Sequence, residues 1–205
     1  METEKIKEAI EKVLQEKGKR NFVQSVEMII NFRNVDFSKQ ENRINLTIYL
    51  PFGLGKEKEV VIFSDSLEAK KFGKVITSKE IEGLAKNKKE LEKLKNAILL
   101  ADQKSIPLVL RYLGQFLGPR GKIPKVITKN IKEEIDEAKS SIKIQTKGKY
   151  LPTLQCAIGS EIMKVEELTQ NAQKVLEEIS ARLPKGNIKS IYFKLTMGKP
   201  VKVEL

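Results

Sequence analysis

Polar side chains alternate along one predicted strand close to the end of the chain. Residues 188–195 favour an extended strand, in which successive side chains project to opposite faces. One face then carries two small hydroxyls, a phenol and an ammonium group, from Ser190, Tyr192, Lys194 and Thr196. Such groups can hydrogen-bond to phosphate oxygens and to ribose 2′-hydroxyls. The pattern leaves two interpretations open, an RNA-contacting face and an ordinary solvated face of a sheet.

The same strand ends in the tripeptide Thr196-Met197-Gly198, where a plain hairpin would more often turn on Asn-Gly or Asp-Gly. Glycine has no Cβ, so Gly198 permits a positive φ and the close approach of a partner's backbone. Met197 can pack its flexible thioether on a sugar or a base. This combination favours a contact surface over a simple turn.

A second polar face belongs to the strand predicted within residues 21–32. Lys19 and Arg20 bring positive charge to its start, and Ser25 and Glu27 project from the face opposite the apolar residues. A carboxylate is repelled by phosphates, so Glu27 would have to accept a hydrogen bond from a 2′-hydroxyl or a base amine. A surface ion pair with a neighbouring lysine is the alternative interpretation.

The composition indicates a basic protein with few groups suited to catalysis. The 205-residue chain has a formal net charge of +12, which favours a polyanionic partner because lysine and arginine displace counterions from phosphate backbones. A lysine-rich proteome is the alternative explanation. The chain has no histidine and one cysteine, Cys156, which excludes Ser-His-Asp catalysis, imidazole-bound zinc and thiolate metal clusters. We therefore expect no catalytic residue, no metal and no cofactor.

The sequence also favours a cytoplasmic protein with no membrane partner. No apolar run approaches the roughly 18 residues that are typical of a membrane span. The charged start of the chain is unlike a secretory signal, and a single cysteine gives no sign of an oxidising compartment.

The hydrophobic pattern changes twice along the chain. Both ends contain strands in which apolar and polar residues alternate, as in antiparallel sheets with one solvated face. In the middle, short continuous apolar runs alternate with helical stretches, which is typical of a parallel sheet between layers of helices. We therefore predict a combined α+β and α/β fold. A discontinuous, β-rich α+β sandwich domain comprises residues 1–56 and 141–205, and a three-layer α/β, Rossmann-like domain is inserted at residues 57–140.

Several local features can be predicted within this division. Residues 77–95 favour one continuous helix, and two strands near residues 141–159 are joined by Lys147-Gly148. The loops GLGK (53–56) and GPRGK (118–122) lack the spacing and the context of nucleotide-binding motifs. We expect GPRGK to form a rigid turn with Arg120 available to a phosphate, and Cys156 to be a small core residue.

Five stretches of the chain resemble the archaeal form of a known ribosomal family, universal large ribosomal subunit protein one. They are KRNFVQSVEMIINFRNVDF (19–37), ENRINL (41–46), LP (50–51), GPRGKIPK (118–125) and SIYFKLTMGKPVKV (190–203). The resemblance extends essentially from end to end, and the terminal TMGKP signature is its most specific part. The chain departs from the usual family pattern at Gln40, Ile123 and Val126.

The resemblance implies a two-domain protein whose discontinuous domain binds the ribosomal RNA of the mobile stalk near the tRNA exit site. It implies that the protein assists release of deacylated tRNA and represses translation by binding its own mRNA. It also implies a monomer when free, located in the large ribosomal subunit. The RNA-contacting positions that match the family motifs are Phe22, Ser25, Glu27, Ser190, Thr196, Met197 and Gly198. Lys19, Arg20, Tyr192 and Lys194 complete the candidate set.

Two other functional classes remain as alternatives. An enzyme could bind a nucleotide or a phosphorylated substrate in the α/β domain, although no Walker motif or acidic metal cluster supports it. A DNA-binding repressor would fit the basic charge, although no recognition-helix motif is present.

Overall fold

The computed structural model describes residues 2–56, 59–66, 68–95, 97–128, 130–146, 151–183 and 185–204. The chain divides into two compact units. Unit 1 comprises Met1–Lys56 and Ser140–Leu205, and unit 2 comprises Glu57–Lys139. Antiparallel sheets in unit 1 and a parallel sheet in unit 2 confirm the predicted α+β and α/β fold class.

The helices and strands of unit 1 stand partly before and partly after unit 2 in the chain. In chain order the described strands are β1 (Ser25–Phe32), β2 (Asn45–Tyr49), β3 (Val60–Phe63), β4 (Lys74–Ile76), β5 (Ile98–Ala101), β6 (Lys125–Val126), β7 (Ser141–Gln145), β8 (Thr153–Ser160), β9 (Ile188–Leu195) and β10 (Val201–Lys202). The described α-helices are α1 (Glu2–Gln15), α2 (Ile81–Lys86), α3 (Lys88–Leu94), α4 (Ile106–Leu117), α5 (Ile131–Ser140) and α6 (Val165–Ser180). Short 3₁₀ turns cover Gln40–Asn42, Glu68–Lys71, Gly118–Arg120 and Lys185–Asn187.

Unit 1 is built on an antiparallel sheet with the strand order β10-β9-β1-β8. Alternation along β1 buries Val26, Met28, Ile30 and Phe32, because every second side chain projects towards the core. Helices α1 and α6 pack together, and α1 also contacts β9 while α6 contacts β8. Strands β2 and β7 pair antiparallel in a separate two-stranded sheet. The opposite face of β1 carries the polar residues that the sequence placed there.

The loop that follows β2 is fixed to unit 1 by a buried asparagine. The Asn171 side chain donates to the carbonyls of Gly53 and Ile158 at 2.8 Å each, and accepts from the Phe52 amide at 3.1 Å. Gly55 has a φ of +61°, and a Cβ at this position would lie 2.6 Å from Cγ of Met163. The GLGK sequence is therefore a structural loop, and its glycine is required by a left-handed backbone and close packing.

Unit 2 contains a parallel sheet with the strand order β4-β3-β5-β6. Successive residues of β3 project into two different cores, and all of them are buried. Helices α2, α3 and α4 supply one core, and α5 with the Glu68–Lys71 turn supplies the other. This three-layer arrangement explains why β3 and β5 have continuous apolar sequences rather than alternating ones.

Residues 77–95 contain two helices, α2 and α3, instead of one. The predicted single helix over residues 77–95 is wrong, because Asn87 is extended (φ −99°, ψ 98°) and separates α2 from α3. The Asn87 side chain caps α3 by accepting from the amides of Lys89 and Glu90. This bond satisfies helix-end donors that a continuous helix would have paired internally. The predicted Lys147-Gly148 connection lies outside the described residues.

The helices of the described ranges are all too short or too polar to cross a membrane.

We expect Asn171→Ala to lower the free energy of unfolding of unit 1 by about 2–4 kcal/mol, since it leaves buried backbone groups unpaired. Urea denaturation followed by circular dichroism measures this loss. Gln170→Ala, at an exposed position of the same helix, is the matched control and should change stability little. Equal stability of the two variants would contradict the structural role of Asn171.

Candidate nucleic-acid interface

Three distant chain segments meet at one end of the four-stranded sheet of unit 1. They are residues 22–25, 160–163 and 195–198, which we call the junction. Antiparallel pairing places Ser25 opposite Ser160 and Val26 opposite Leu195, so the start of β1 lies between the ends of β8 and β9. The sheet thereby brings the first and last predicted contact regions of the sequence together.

The Thr196 side chain helps to join two segments of the junction. Its amide donates to the Ser25 carbonyl at 3.1 Å, and its Oγ1 accepts from the Ser25 amide at 3.1 Å. The hydroxyl of Thr196 also lies 3.4 Å from the Ser25 carbonyl oxygen. A Thr196→Ala change would therefore disturb the end of the sheet as well as any contact with a partner.

The junction presents four large apolar side chains to solvent. Phe22 is 50% exposed, Val23 41%, Ile162 69% and Met197 61%. Exposed apolar side chains clustered on one rigid end of a sheet are typical of a binding surface rather than of a solvated turn. Ile162 was not predicted, because it lies in a loop with no repeating pattern.

Gln24 links the three segments of the junction and is only 2% exposed. Its amide and Nε2 donate to the two carboxylate oxygens of Glu161, at 3.0 and 3.2 Å. Its Oε1 accepts from the Met197 amide at 3.1 Å, and its carbonyl accepts from the Glu161 amide at 3.0 Å. One sequence signal could have revealed it: Gln24 is a polar residue in the buried phase of the β1 alternation.

The carboxylate of Glu27 is engaged by its own protein on the polar face of the sheet. Gln155 Nε2 donates to Oε2 of Glu27 at 2.6 Å, and Nζ of Lys194 lies 3.9 Å from the same oxygen. Lys194 also donates to the Thr196 carbonyl at 3.1 Å. Glu27 and Lys194 therefore form an ion pair, as the alternative interpretation of Glu27 expects.

The other predicted contact residues lie at different distances from the junction. Lys19 and Arg20 are exposed in the segment that leads into β1. Tyr192 is half-buried in the middle of β9, opposite Ile29. Ser190 is buried, accepts from Asn31 Nδ2 at 3.1 Å, and lies about 20 Å along the strand from Thr196 at roughly 3.4 Å per residue. The sheet therefore does not bring Ser190 to the junction.

Gly198 does not use the positive φ that a glycine permits, because the described glycines with a positive φ are Gly53, Gly55 and Gly121. The Gly198 amide donates to the Leu195 carbonyl at 2.9 Å and closes a tight turn. A Cβ at Gly198 would lie 3.1 Å from the Leu195 Cβ, so close packing within the chain favours a glycine at this turn.

Lys56 is a cation of the junction that the sequence patterns did not single out. Its Nζ donates to the Val23 carbonyl at 2.8 Å and to Oγ of Ser25 at 2.9 Å. The side chain is exposed, so its ammonium group holds the start of β1 while still facing solvent. The GLGK loop, rejected as a nucleotide motif, is the element that positions it.

A family comparison decides what kind of protein carries this junction. Residues 5–199 match the model of a family described as "Ribosomal protein L1p/L10e family". The chain belongs to this family. Its family membership confirms the resemblance found in the sequence and identifies the chain as a ribosomal protein.

Curated relatives from archaea carry the name "Large ribosomal subunit protein uL1". The chain is 41% identical to the protein of Archaeoglobus fulgidus, over 99% of each chain. It is 39% identical to that of Thermococcus kodakarensis, over 98% of this chain and 97% of the relative. For Methanocaldococcus jannaschii the identity is 37%, over 100% and 97%. The similarity therefore extends over both units of the chain.

The GPRGK loop of this ribosomal protein is stabilised by its own side chains. Residues Gly118–Arg120 form a 3₁₀ turn, and Arg120 Nη1 donates to the Phe116 carbonyl at 2.6 Å. The guanidinium also lies 4.0 Å from the centre of the Phe116 ring. Nζ of Lys122 donates to the Ala97 carbonyl, and burial lowers the pKa of Lys122. The loop thus resembles a rigid turn more than a phosphate cradle.

Cys156 provides a chemical probe of the sheet beside Glu27. Burial raises the pKa of the Cys156 thiol to about 12, and the negative charge of Glu27 adds to the effect. At pH 8 the reactive thiolate then makes up roughly one part in ten thousand of this thiol, far less than for a free thiol with a pKa near 8.5.

We therefore expect a disulfide reagent such as 5,5′-dithiobis(2-nitrobenzoate) to label native Cys156 very slowly at pH 8. Labelling should accelerate strongly in urea, which exposes the thiol and restores its ordinary pKa. Absorbance at 412 nm measures the rate. Rapid labelling of the native protein would show that β8 is open at this position.

Proposed function

We propose that the junction is the RNA-binding surface of this protein and that its ligand is the ribosomal RNA of the large-subunit stalk. The observation that carries the proposal is the coincidence of exposed apolar side chains with cationic charge on a rigid sheet end. Phe22 offers an exposed ring on which a base can stack, which is a common mode of RNA recognition, and Met197 offers an exposed thioether that can pack on a sugar or a base.

Positive charge surrounds the apolar side chains of the junction. Basic residues lie within three positions of its segments in the chain or in hydrogen-bond contact with them: Lys19, Arg20, Lys56, Lys164, Lys194 and Lys199. These groups supply the salt-dependent part of the affinity, because each phosphate that they neutralise releases counterions. The net charge of +12 extends the same attraction over the whole chain.

Two carboxylates near the junction do not oppose this function as free acids would. Glu161 receives two hydrogen bonds from Gln24, and Glu27 receives one from Gln155 and lies near Lys194. Donors that approach a carboxylate offset its charge locally. These hydrogen-bonded carboxylates therefore order the surface, while lysines and arginines dominate its electrostatic potential.

A stalk-binding role carries further expectations about location and partners. The protein acts in the large ribosomal subunit in the cytoplasm, beside the tRNA exit site, and assists the departure of deacylated tRNA. The same junction binds a similar structure in the protein's own mRNA and represses its translation. The named relatives are large-subunit proteins, which supports the first of these roles.

We expect Phe22→Ala and Met197→Ala each to weaken binding to a stalk ribosomal RNA fragment by about 1–3 kcal/mol, because the first removes a ring on which a base can stack and the second removes a thioether packed on a base or sugar. Neither change should alter the slope of log affinity against log salt, since no charge is removed. Lys199→Met should instead reduce that slope by about one unit. Fluorescence anisotropy across a potassium chloride series measures both quantities.

Leu151→Ala is the matched control, because Leu151 is 64% exposed and β8 separates it from the junction. It should bind RNA like the wild type. Equal losses for Leu151→Ala and Met197→Ala, or competition by duplex DNA as strong as by stalk RNA, would contradict the proposal. In the second case a DNA-binding role would replace it.

A further inference from the structure

The Gln24–Glu161 pair is unusual for a surface that is to meet phosphates. A carboxylate beside an RNA site repels the ligand, so electrostatics alone would favour a neutral residue at position 161. Yet both carboxylate oxygens of Glu161 are used, one by the backbone amide and one by the side-chain amide of Gln24. The Glu161 carboxylate therefore satisfies two donors of Gln24 at once.

The pair connects each segment that carries an exposed apolar side chain. Gln24 follows Phe22 and Val23, Glu161 precedes Ile162, and the Gln24 Oε1 accepts from the backbone amide of Met197 itself. A single buried side chain therefore fixes the spacing of three groups that are far apart in sequence. Without it, the turn after β9 would lose the acceptor that holds the Met197 amide.

We propose that Gln24 and Glu161 are positioning residues for RNA binding, which hold Phe22, Ile162 and Met197 in the geometry that the RNA requires. This inference rests on the proposed function. Its physical basis is preorganisation: loops that are ordered before binding lose less conformational entropy when the RNA arrives. Gln24 and Glu161 act through the exposed side chains, since Gln24 itself is buried.

The first test is Glu161→Gln, for which two explanations predict opposite signs. Removing a negative charge beside RNA should raise affinity if Glu161 acts only through its charge. A carboxamide, however, offers one acceptor oxygen, whereas the Gln24 amide and Nε2 both need one. The positioning role therefore predicts a loss of roughly tenfold, the factor that one lost charge-assisted hydrogen bond carries.

The second test exchanges the two side chains in the double variant Gln24→Glu/Glu161→Gln. The carboxylate now at position 24 can accept from the Met197 amide and from the carboxamide now at position 161. That carboxamide's oxygen can in turn accept from the backbone amide of residue 24. All three bonds are thus restored with one reversed in direction, and the net charge equals that of the wild type. Gln24→Glu alone places two carboxylates face to face and should bind worst, whereas the double variant should recover most of the affinity.

Hydrogen exchange in the free protein separates positioning from general stability. The Met197 amide should exchange faster in Glu161→Gln than in the wild type or the exchanged pair, because the support of its acceptor is weakened. The amide of Met28, in the middle of β1, should remain equally protected in all of them. A merely structural defect would expose Met28 along with Met197, and would overturn the positioning role.

The outcomes distinguish this inference from the function on which it rests. Wild-type preference for stalk RNA, a loss in Glu161→Gln and recovery in the exchanged pair would support both. Wild-type preference together with equal or tighter binding by Glu161→Gln would overturn the positioning role and leave the proposed function standing. Failure of the wild type to prefer stalk RNA over duplex DNA would overturn both.

Discussion

The pairing of β1 with both β8 and β9 is the constraint on which unit 1 depends. The side-chain hydrogen bonds that join the three segments of the junction connect residues 137 to 173 positions apart, so only the sheet brings them together. Closing such long loops costs conformational entropy, which burial of the alternating apolar face of β1 must offset. The register matters equally, because a slip of one residue would turn Ser25 and Glu27 inward and Val26 outward.

Much of this architecture could be predicted from local sequence patterns. Alternation identified the buried and polar faces of β1 and β9, and the continuous apolar runs of β3 and β5 indicated a parallel sheet between helices. These patterns succeed because the side of a strand that is buried is encoded in the strand itself. The polar phase of β1 similarly indicated Ser25 and Glu27, and both lie where the pattern placed them.

Features that depend on distant partners could not be predicted in this way. Ser190 is buried and its hydroxyl accepts a hydrogen bond from Asn31 on the neighbouring strand, and a Cβ at Gly198 would make a tight contact with Leu195. The break between α2 and α3 is due to a capping side chain within a sequence of good helix formers. Ile162 lies in a loop without periodicity, so only the meeting of three segments reveals its position.

The interruption of unit 1 by unit 2 has a consequence for how the protein is made. A ribosome synthesises β1 early, but neither strand that pairs with it exists until unit 2 is complete. At typical elongation rates this delay is on the order of ten seconds, during which both edges of an apolar strand are unpaired. Unit 2 can mature co-translationally, whereas unit 1 must await the final strands, so its nascent amino-terminal segment depends on shielding from other chains.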